Sequence, residues 1–248
     1  MAKTDWALAF KPLLAKYKGK KHPLEYKNLY QLLVMVVLSA QDSDKNINKL
    51  APAFFKVFPT MKKLSTATEK TMFPLISKVR NFGNKTNWLM QIAQAIKEDK
   101  NIPLTLQELT ALPGIGRKSA NVIMREAGVP AEGIIVDLHV VHVASRIGVA
   151  EGTDPKKIEK QLMEALPEKV WGEVGMAISF LGRETCRPTH PEHHDCVMTK
   201  YCAYFKENHK TAVKAAPAKK KAVKKVASIS SATKAKKTAK KVAKKTTK

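Results

Sequence analysis

Along residues 1–209 the apolar positions recur at helical spacing. Trp6, Phe10, Leu13 and Leu14 lie three or four residues apart and predict an amphipathic N-terminal helix. Leu29, Leu32, Leu33, Val36 and Val37 keep that period, but the run is apolar nearly all round, which predicts a central, buried helix. Further helices are predicted over 43–56, 69–78, 84–98, 105–111, 117–127, 137–147, 155–165 and 168–181. Thr153-Asp154-Pro155 has the form of a helix start, a capping carboxylate ahead of a proline in the first turn. No stretch alternates with period two for long enough to propose a sheet. The strand-like run Gly133-Ile134-Ile135-Val136 is short and reads as an extended connection. The expected fold class is all-α.

The pattern stops near residue 210, where Lys, Ala, Val, Thr and Ser take over and no aromatic residue remains. Without large apolar groups such a segment cannot offset a backbone ordering cost of roughly 1–2 kcal/mol per residue, so 210–248 is predicted to be a disordered cationic arm. The formal net charge is +24; fifteen lysines and no acidic residue in 210–248 leave +9 for residues 1–209. Both parts are basic, which favours a polyanionic partner, nucleic acid before membrane. The longest apolar run, Leu32 to Leu38, is far short of the ~20 residues that span a bilayer. The first residues carry Asp5 and no small-residue cleavage pattern, so the expected location is cytoplasmic and nucleoid-associated rather than secreted. The three cysteines, Cys186, Cys196 and Cys202, cluster near the end of the helical part. That grouping suits a metal or cluster site in a reducing compartment better than a disulfide framework.

The densest chemical signal is Leu112-Pro113-Gly114-Ile115-Gly116-Arg117-Lys118-Ser119-Ala120, followed by Val136-Asp137-Leu138-His139. Leu106, Leu109 and Leu112 mark the apolar face of one short helix, Pro113-Gly114 stops it, and Gly116 allows a tight reversal into the next. Free N–H groups at that second helix start can grip a phosphate without reading sequence. Lys118 and Asp137 supply a nucleophile and an electrostatic partner.

These residues resemble endonuclease III, the bifunctional DNA glycosylase and abasic-site lyase family of the helix-hairpin-helix superfamily. The likeness covers about residues 1–205 and rests on Leu38-Ser39-Ala40-Gln41-Asp42-Ser43-Asp44, the hairpin 112–120, Val136-Asp137-Leu138-His139 and the cysteine-containing segment after Gly182-Arg183. It implies that Lys118 is the catalytic lysine and Asp137 the catalytic aspartate. Base removal develops positive charge on the deoxyribose, which a nearby carboxylate stabilises. A Schiff base on the lysine then acidifies the C2′ proton, and β-elimination breaks the strand 3′ to the lesion. The implied substrate is double-stranded DNA carrying oxidised pyrimidines or abasic sites, and the implied state is a monomer.

A base inside a duplex must be extruded before it can be attacked. By resemblance Gln41 is the polar plug that fills the gap, helped by His139 and the loop around Asn81-Phe82, while Leu112, Gly114, Gly116 and Arg117 form the DNA-gripping hairpin. Asp44 resembles a family acid near the pocket. The chain departs from the family at Arg80-Asn81, where a small turn residue and an apolar wedge are usual, and at Leu138, where threonine is usual; both bear on substrate range. The family's Cys-x6-Cys-x2-Cys-x5-Cys loop is Cys186-x6-His193-x2-Cys196-x5-Cys202 here. Imidazole ligates iron in some clusters, and Cys3His is also a structural zinc set, so a [4Fe-4S] cluster, zinc or no metal stay open.

Two rivals are weaker. A monofunctional adenine glycosylase would lack the hairpin lysine, and a DNA architectural protein would not need the Lys118–Asp137 pair. The resemblance implies two helical lobes, 23–132 with the hairpin, and 1–22 joined to 133–209 with the cysteine loop, with the lesion in the cleft between them.

Overall fold

A computed structural model describes residues 4–214, with side chains through residue 208, and the described residues contain helices and no strand. The N-terminal stripe forms two short helices, α1 (Trp6–Ala9) and α2 (Lys11–Lys16), rather than one. Pro12 lacks the N–H that would continue the ladder, so the chain restarts there with proline in the first turn. The stripe survives the break: Phe10 and Leu13 are fully buried.

The apolar run becomes α3 (Leu29–Ser39), started by Asn28, whose side chain accepts the Gln31 N–H. Tyr30 and every residue from Leu32 to Leu38 are buried, as the all-round hydrophobicity requires. Ser43 caps α4 (Asp44–Val57), and Thr60 caps α5 (Met61–Leu64). Next come α6 (Glu69–Ile76), α7 (Phe82–Ile96) and α8 (Leu106–Ala111), the last capped by Thr105. After the hairpin come α9 (Arg117–Ala127) and α10 (Leu138–Ile147). The 153–155 signal starts α11 (Pro155–Ala165), with the Asp154 carboxylate accepting from Lys156 N–H. The helix expected over 168–181 divides into a 3-10 turn, Glu168–Val170, and the longer α12 (Trp171–Glu184).

The final helix, α13 (Ala203–Lys214), corrects the boundary of the expected arm. Residues 210–214 are helical, because alanine and lysine are good helix formers and extend a helix already begun. The rest of that expectation, 215–248, lies outside the described residues.

The helices pack as two lobes. In one, α3 is the hub for α4, α7 and α9, α6 lies between α4 and α7, and α8 pairs with α9 across the hairpin. In the other, α10 lies along α12 and also meets α11 and α13, while α2 returns to pack on α12. Contact between α9 and α12 joins the lobes. The run Ile134–Ile135–Val136 is a buried extended connection, as expected, leading into α10. It passes so close beneath α12 that a Cβ on Gly175 would lie 2.4 Å from the Ile135 carbonyl oxygen. No helix among the described residues is long and apolar enough to cross a membrane.

Candidate active site

The hairpin between α8 and α9 uses its two glycines differently. Gly114 has φ +78°, and a Cβ there would meet the Trp88 ring at 2.5 Å, so both backbone and packing exclude a side chain. Gly116, the N-cap of α9, has an ordinary φ of −91°, and an added Cβ would meet nothing within 4 Å. The fold itself has no need for glycine at 116. The open space suits close approach by something outside the chain. No side chain caps α9, so the N–H groups of its first turn stay available beside that opening.

The Arg117 guanidinium has a partner within the chain. Its Nε–H donates to Glu159 Oε2 at 2.7 Å, and the pair ties α9 to α11. Lys118, the next residue, is exposed on the first turn of α9, and Leu112 is half-buried at the end of α8.

Asp137 is the N-cap of α10, its Oδ1 accepting the Val140 N–H at 2.9 Å. Its Oδ2 accepts from the Ser179 hydroxyl at 2.6 Å, and the Arg183 Nη2 stands 3.7 Å away. Arg183 Nε–H donates to Ser179 Oγ at 3.4 Å, and Nη1–H donates to Asp44 Oδ2 at 3.0 Å. Asp44 lies on α4, so this strand of contacts crosses between lobes. His139, one residue into α10, packs on α12 where a Cβ on Gly182 would lie 2.9 Å from its own Cβ. Leu138 turns the other way and is 84% exposed at the rim of the site.

His22 lies on the connection between α2 and α3. Its Nδ1 accepts the Leu24 N–H at 3.1 Å, which leaves the proton on Nε2. Burial lowers its pKa from 6.5 to about 4, against Glu126 and Asp44 and with the help of Lys118 and Arg183. The imidazole is neutral among four charged side chains.

Gln41 stands on a second rim. It adopts φ 58°, and Asn81, opposite, adopts φ 56° and donates to Gln41 Oε1 at 3.4 Å. Two non-glycine residues in the left-handed region hold only if their surroundings over-determine them. Here the ammonium of Lys85, 1% exposed, donates to the carbonyls of Leu38 and Ala40, both at 2.7 Å. Burial pulls the Lys85 pKa down while Asp42 opposes the shift. Asp42 accepts from the N–H groups of Ser43 and Arg80, at 2.7 and 2.9 Å, and from the Asn46 amide. Burial would raise the Asp42 pKa, but those donors outweigh it and hold it below the usual carboxylate value.

Ser179, Arg183, His22, Asp42 and Lys85 were not among the expected site residues. A signal existed for Lys85, which falls on the buried face of α7 with Leu89, Ile92 and Ile96. Nothing in the sequence distinguished His22 from the other histidines.

Cys186, His193, Cys196 and Cys202 all line one small cavity of about 20 Å³. Burial pushes the Cys196 and Cys202 thiols up. Cys202 Sγ bonds the Arg146 carbonyl at 3.4 Å, and the His193 ring stacks on Tyr204. Among the described residues no three His, Cys, Asp or Glu side chains are arranged to hold a metal ion. The donor types suit a metal, but their arrangement does not converge.

The fold and this site define a helix-hairpin-helix base-excision protein, and residues 34–168 match the HhH-GPD superfamily of base excision DNA repair proteins. Endonuclease III of Synechocystis sp. is 34% identical over 188 residues, 75% of this chain and 86% of that protein. The Thermotoga maritima endonuclease III is 28% identical over 205 residues, 81% of this chain and 96% of that one. The chain belongs to the endonuclease III family and is a DNA glycosylase with abasic-site lyase activity whose partner is double-stranded DNA. A solved trapped endonuclease III–DNA covalent intermediate matches with a TM-score of 0.73 at 27% identity, covering 84% of this chain and 100% of that chain. A thermostable thymine-DNA glycosylase, at 17% identity and a TM-score of 0.65, shares the fold.

The two glycines should separate on substitution. Gly114→Ala is expected to cost about 1–3 kcal/mol in urea unfolding. Gly116→Ala should stay within about 0.5 kcal/mol of wild type, yet weaken binding to an abasic-analogue duplex about tenfold by fluorescence anisotropy, one lost contact of ~1.4 kcal/mol. Equal affinities for Gly116→Ala and wild type would refute close approach at that position.

His22 gives a pH signature. Its folded pKa lies below its unfolded value, so the unfolded chain takes up the proton first as pH falls. Stability is therefore lost between pH 6.5 and about 4, by at most about 3 kcal/mol. Unfolding curves across that window should show a shallower loss for His22→Asn; parallel curves would count against the buried neutral imidazole.

Proposed function

We propose that this enzyme excises oxidised pyrimidines from duplex DNA and then cleaves the strand 3′ to the resulting abasic site, with Lys118 as nucleophile and Asp137 as the stabilising carboxylate. The observation that carries this reading is the pairing of an exposed lysine on the uncapped first turn of α9 with a carboxylate held in place by Val140 and Ser179, on the two lobes that meet where α9 contacts α12. We take those lobes as 23–132, and 1–22 with 133–209.

The chemistry follows from the groups present. As the C1′–N bond breaks, its electron pair leaves with the base, which takes a proton from solvent. Positive charge builds on C1′ and O4′, facing the Asp137 carboxylate. The Lys118 amine, unprotonated at that moment, bonds C1′, and as the C1′–O4′ bond breaks one of its protons passes to O4′, leaving an iminium at C1′ and a hydroxyl at C4′. Loss of the C2′ proton pushes electrons toward the iminium and expels the 3′ phosphate. Water then releases the sugar fragment and regenerates the amine. Gln41, with His139 beside the site, fills the space left by the extruded base, and Leu112, Gly114, Gly116 and the α9 start grip the backbone. The Arg117 contribution is its backbone N–H, since its guanidinium holds Glu159. A protein with this partner belongs in the cytoplasm, on the nucleoid.

Cys186, His193, Cys196 and Cys202 would hold the [4Fe-4S] cluster that endonuclease III relatives generally carry. Its role here would be structural, and no step above passes through it. Zinc is the second reading, because three cysteines and a histidine are an ordinary structural zinc set.

Borohydride should trap the wild-type enzyme on duplexes containing thymine glycol or an abasic site, and Lys118→Ala should lose the adduct by at least ~10³-fold, as expected for a missing nucleophile. Normal trapping by Lys118→Ala would exclude the assignment. For the loop, metal analysis of anaerobically purified protein should give about four irons with broad absorption near ~400 nm for a cluster, or one zinc and no such band for Cys3His.

A further inference from the structure

We propose that Asp44 is a positioning residue that holds the Arg183 guanidinium off Asp137, and so leaves the catalytic carboxylate's charge available to the departing base's sugar. The inference rests on the assignment of Asp137 just made. Arg183 faces two carboxylates and makes its close contact with one of them: Nη1 is 3.0 Å from Asp44 Oδ2, while Nη2 is 3.7 Å from Asp137 Oδ2. Asp137 takes its hydrogen bonds from neutral donors instead, the Ser179 hydroxyl at 2.6 Å and the Val140 N–H at 2.9 Å.

The charges explain why that division matters. A cationic transition state at C1′ gains from a carboxylate and loses from a guanidinium beside it. Arg183 paired with Asp137 alone would form a neutral unit and offer the sugar little. With Asp44 included, the group of Asp44, Arg183 and Asp137 carries one net negative charge. His22 faces the same side chains and adds none, because burial and the Leu24 N–H keep it neutral. The partition is also mechanically reasonable. Asp44 is in the first turn of α4, and the Arg183 guanidinium is held between it and Ser179, donating from Nη1 to Asp44 Oδ2 at 3.0 Å and from Nε to Ser179 Oγ at 3.4 Å.

Removing Asp44 should therefore damage base excision through Arg183, and removing Arg183 as well should repair it. In single-turnover excision of thymine glycol by the full chain, Asp44→Asn is expected to slow the step tenfold or more. The double variant Asp44→Asn with Arg183→Gln should recover most of that loss. An acid that merely contacted the base, or merely supported the fold, would give no such recovery. A double variant as slow as Asp44→Asn, or Asp44→Asn at the wild-type rate, would overturn the proposal. Asp44→Ser offers a second removal of the charge, with the same expected slowing and rescue, if the asparagine variant does not fold. Asp137→Asn is the control: near-complete loss of excision with no rescue of Asp44→Asn defeats this inference alone, whereas undiminished excision by Asp137→Asn defeats the underlying assignment.

Discussion

The site depends on how closely α10 and the segment before it can approach α12. Gly175, Ser179, Gly182 and Arg183 share one face of α12. Side chains at the two glycines would collide with the Ile135 carbonyl at 2.4 Å and with the His139 Cβ at 2.9 Å. Their absence lets the chain lie flat on the helix. Only then can the serine between them reach Asp137 at 2.6 Å and the arginine stand beside it. Ser179 is itself fully buried, so its hydroxyl would be costly if it lacked that partner. Packing and chemistry are met by the same short face.

Asp137 combines two tasks that reinforce each other. As N-cap it is fixed by Val140, and the cap leaves Oδ2 directed toward Ser179 and Arg183. A carboxylate preorganised in this way needs no reorganisation when charge develops in front of it. On the other rim a buried ammonium does comparable work. Lys85 holds the carbonyls at the end of α3 in place, the Arg80 N–H donates to Asp42 and ties the 39–43 and 78–82 turns together, and Asn46 on α4 donates to the Lys78 carbonyl. The left-handed Gln41 and Asn81 stand at the joined tips. Burying a charge is unfavourable unless hydrogen bonds replace its hydration, and two carbonyl contacts at 2.7 Å supply that replacement.

Much of the fold was legible because helical periodicity is a local property. The apolar run of α3 and the Asp154-Pro155 start each act through neighbours a few residues away, and each lies where the pattern placed it. The N-terminal stripe was legible as a buried face but not as two helices, since Pro12 cuts the ladder without disturbing the apolar spacing. The end of the helical part was misjudged at 210–214, because a Lys/Ala composition is compatible both with a helix extension and with an unstructured arm.

By itself the sequence determined the elements, the hairpin with its lysine, the aspartate and the donor types of the cysteine loop. The tertiary structure decided which side chains face them. That Arg117 turns to Glu159, that Arg183 divides itself between Asp44 and Asp137, and that burial keeps His22 neutral all depend on residues far apart in the chain. Electrostatics and hydrogen bonding act through space over a few ångströms, and residue spacing carries no record of those distances.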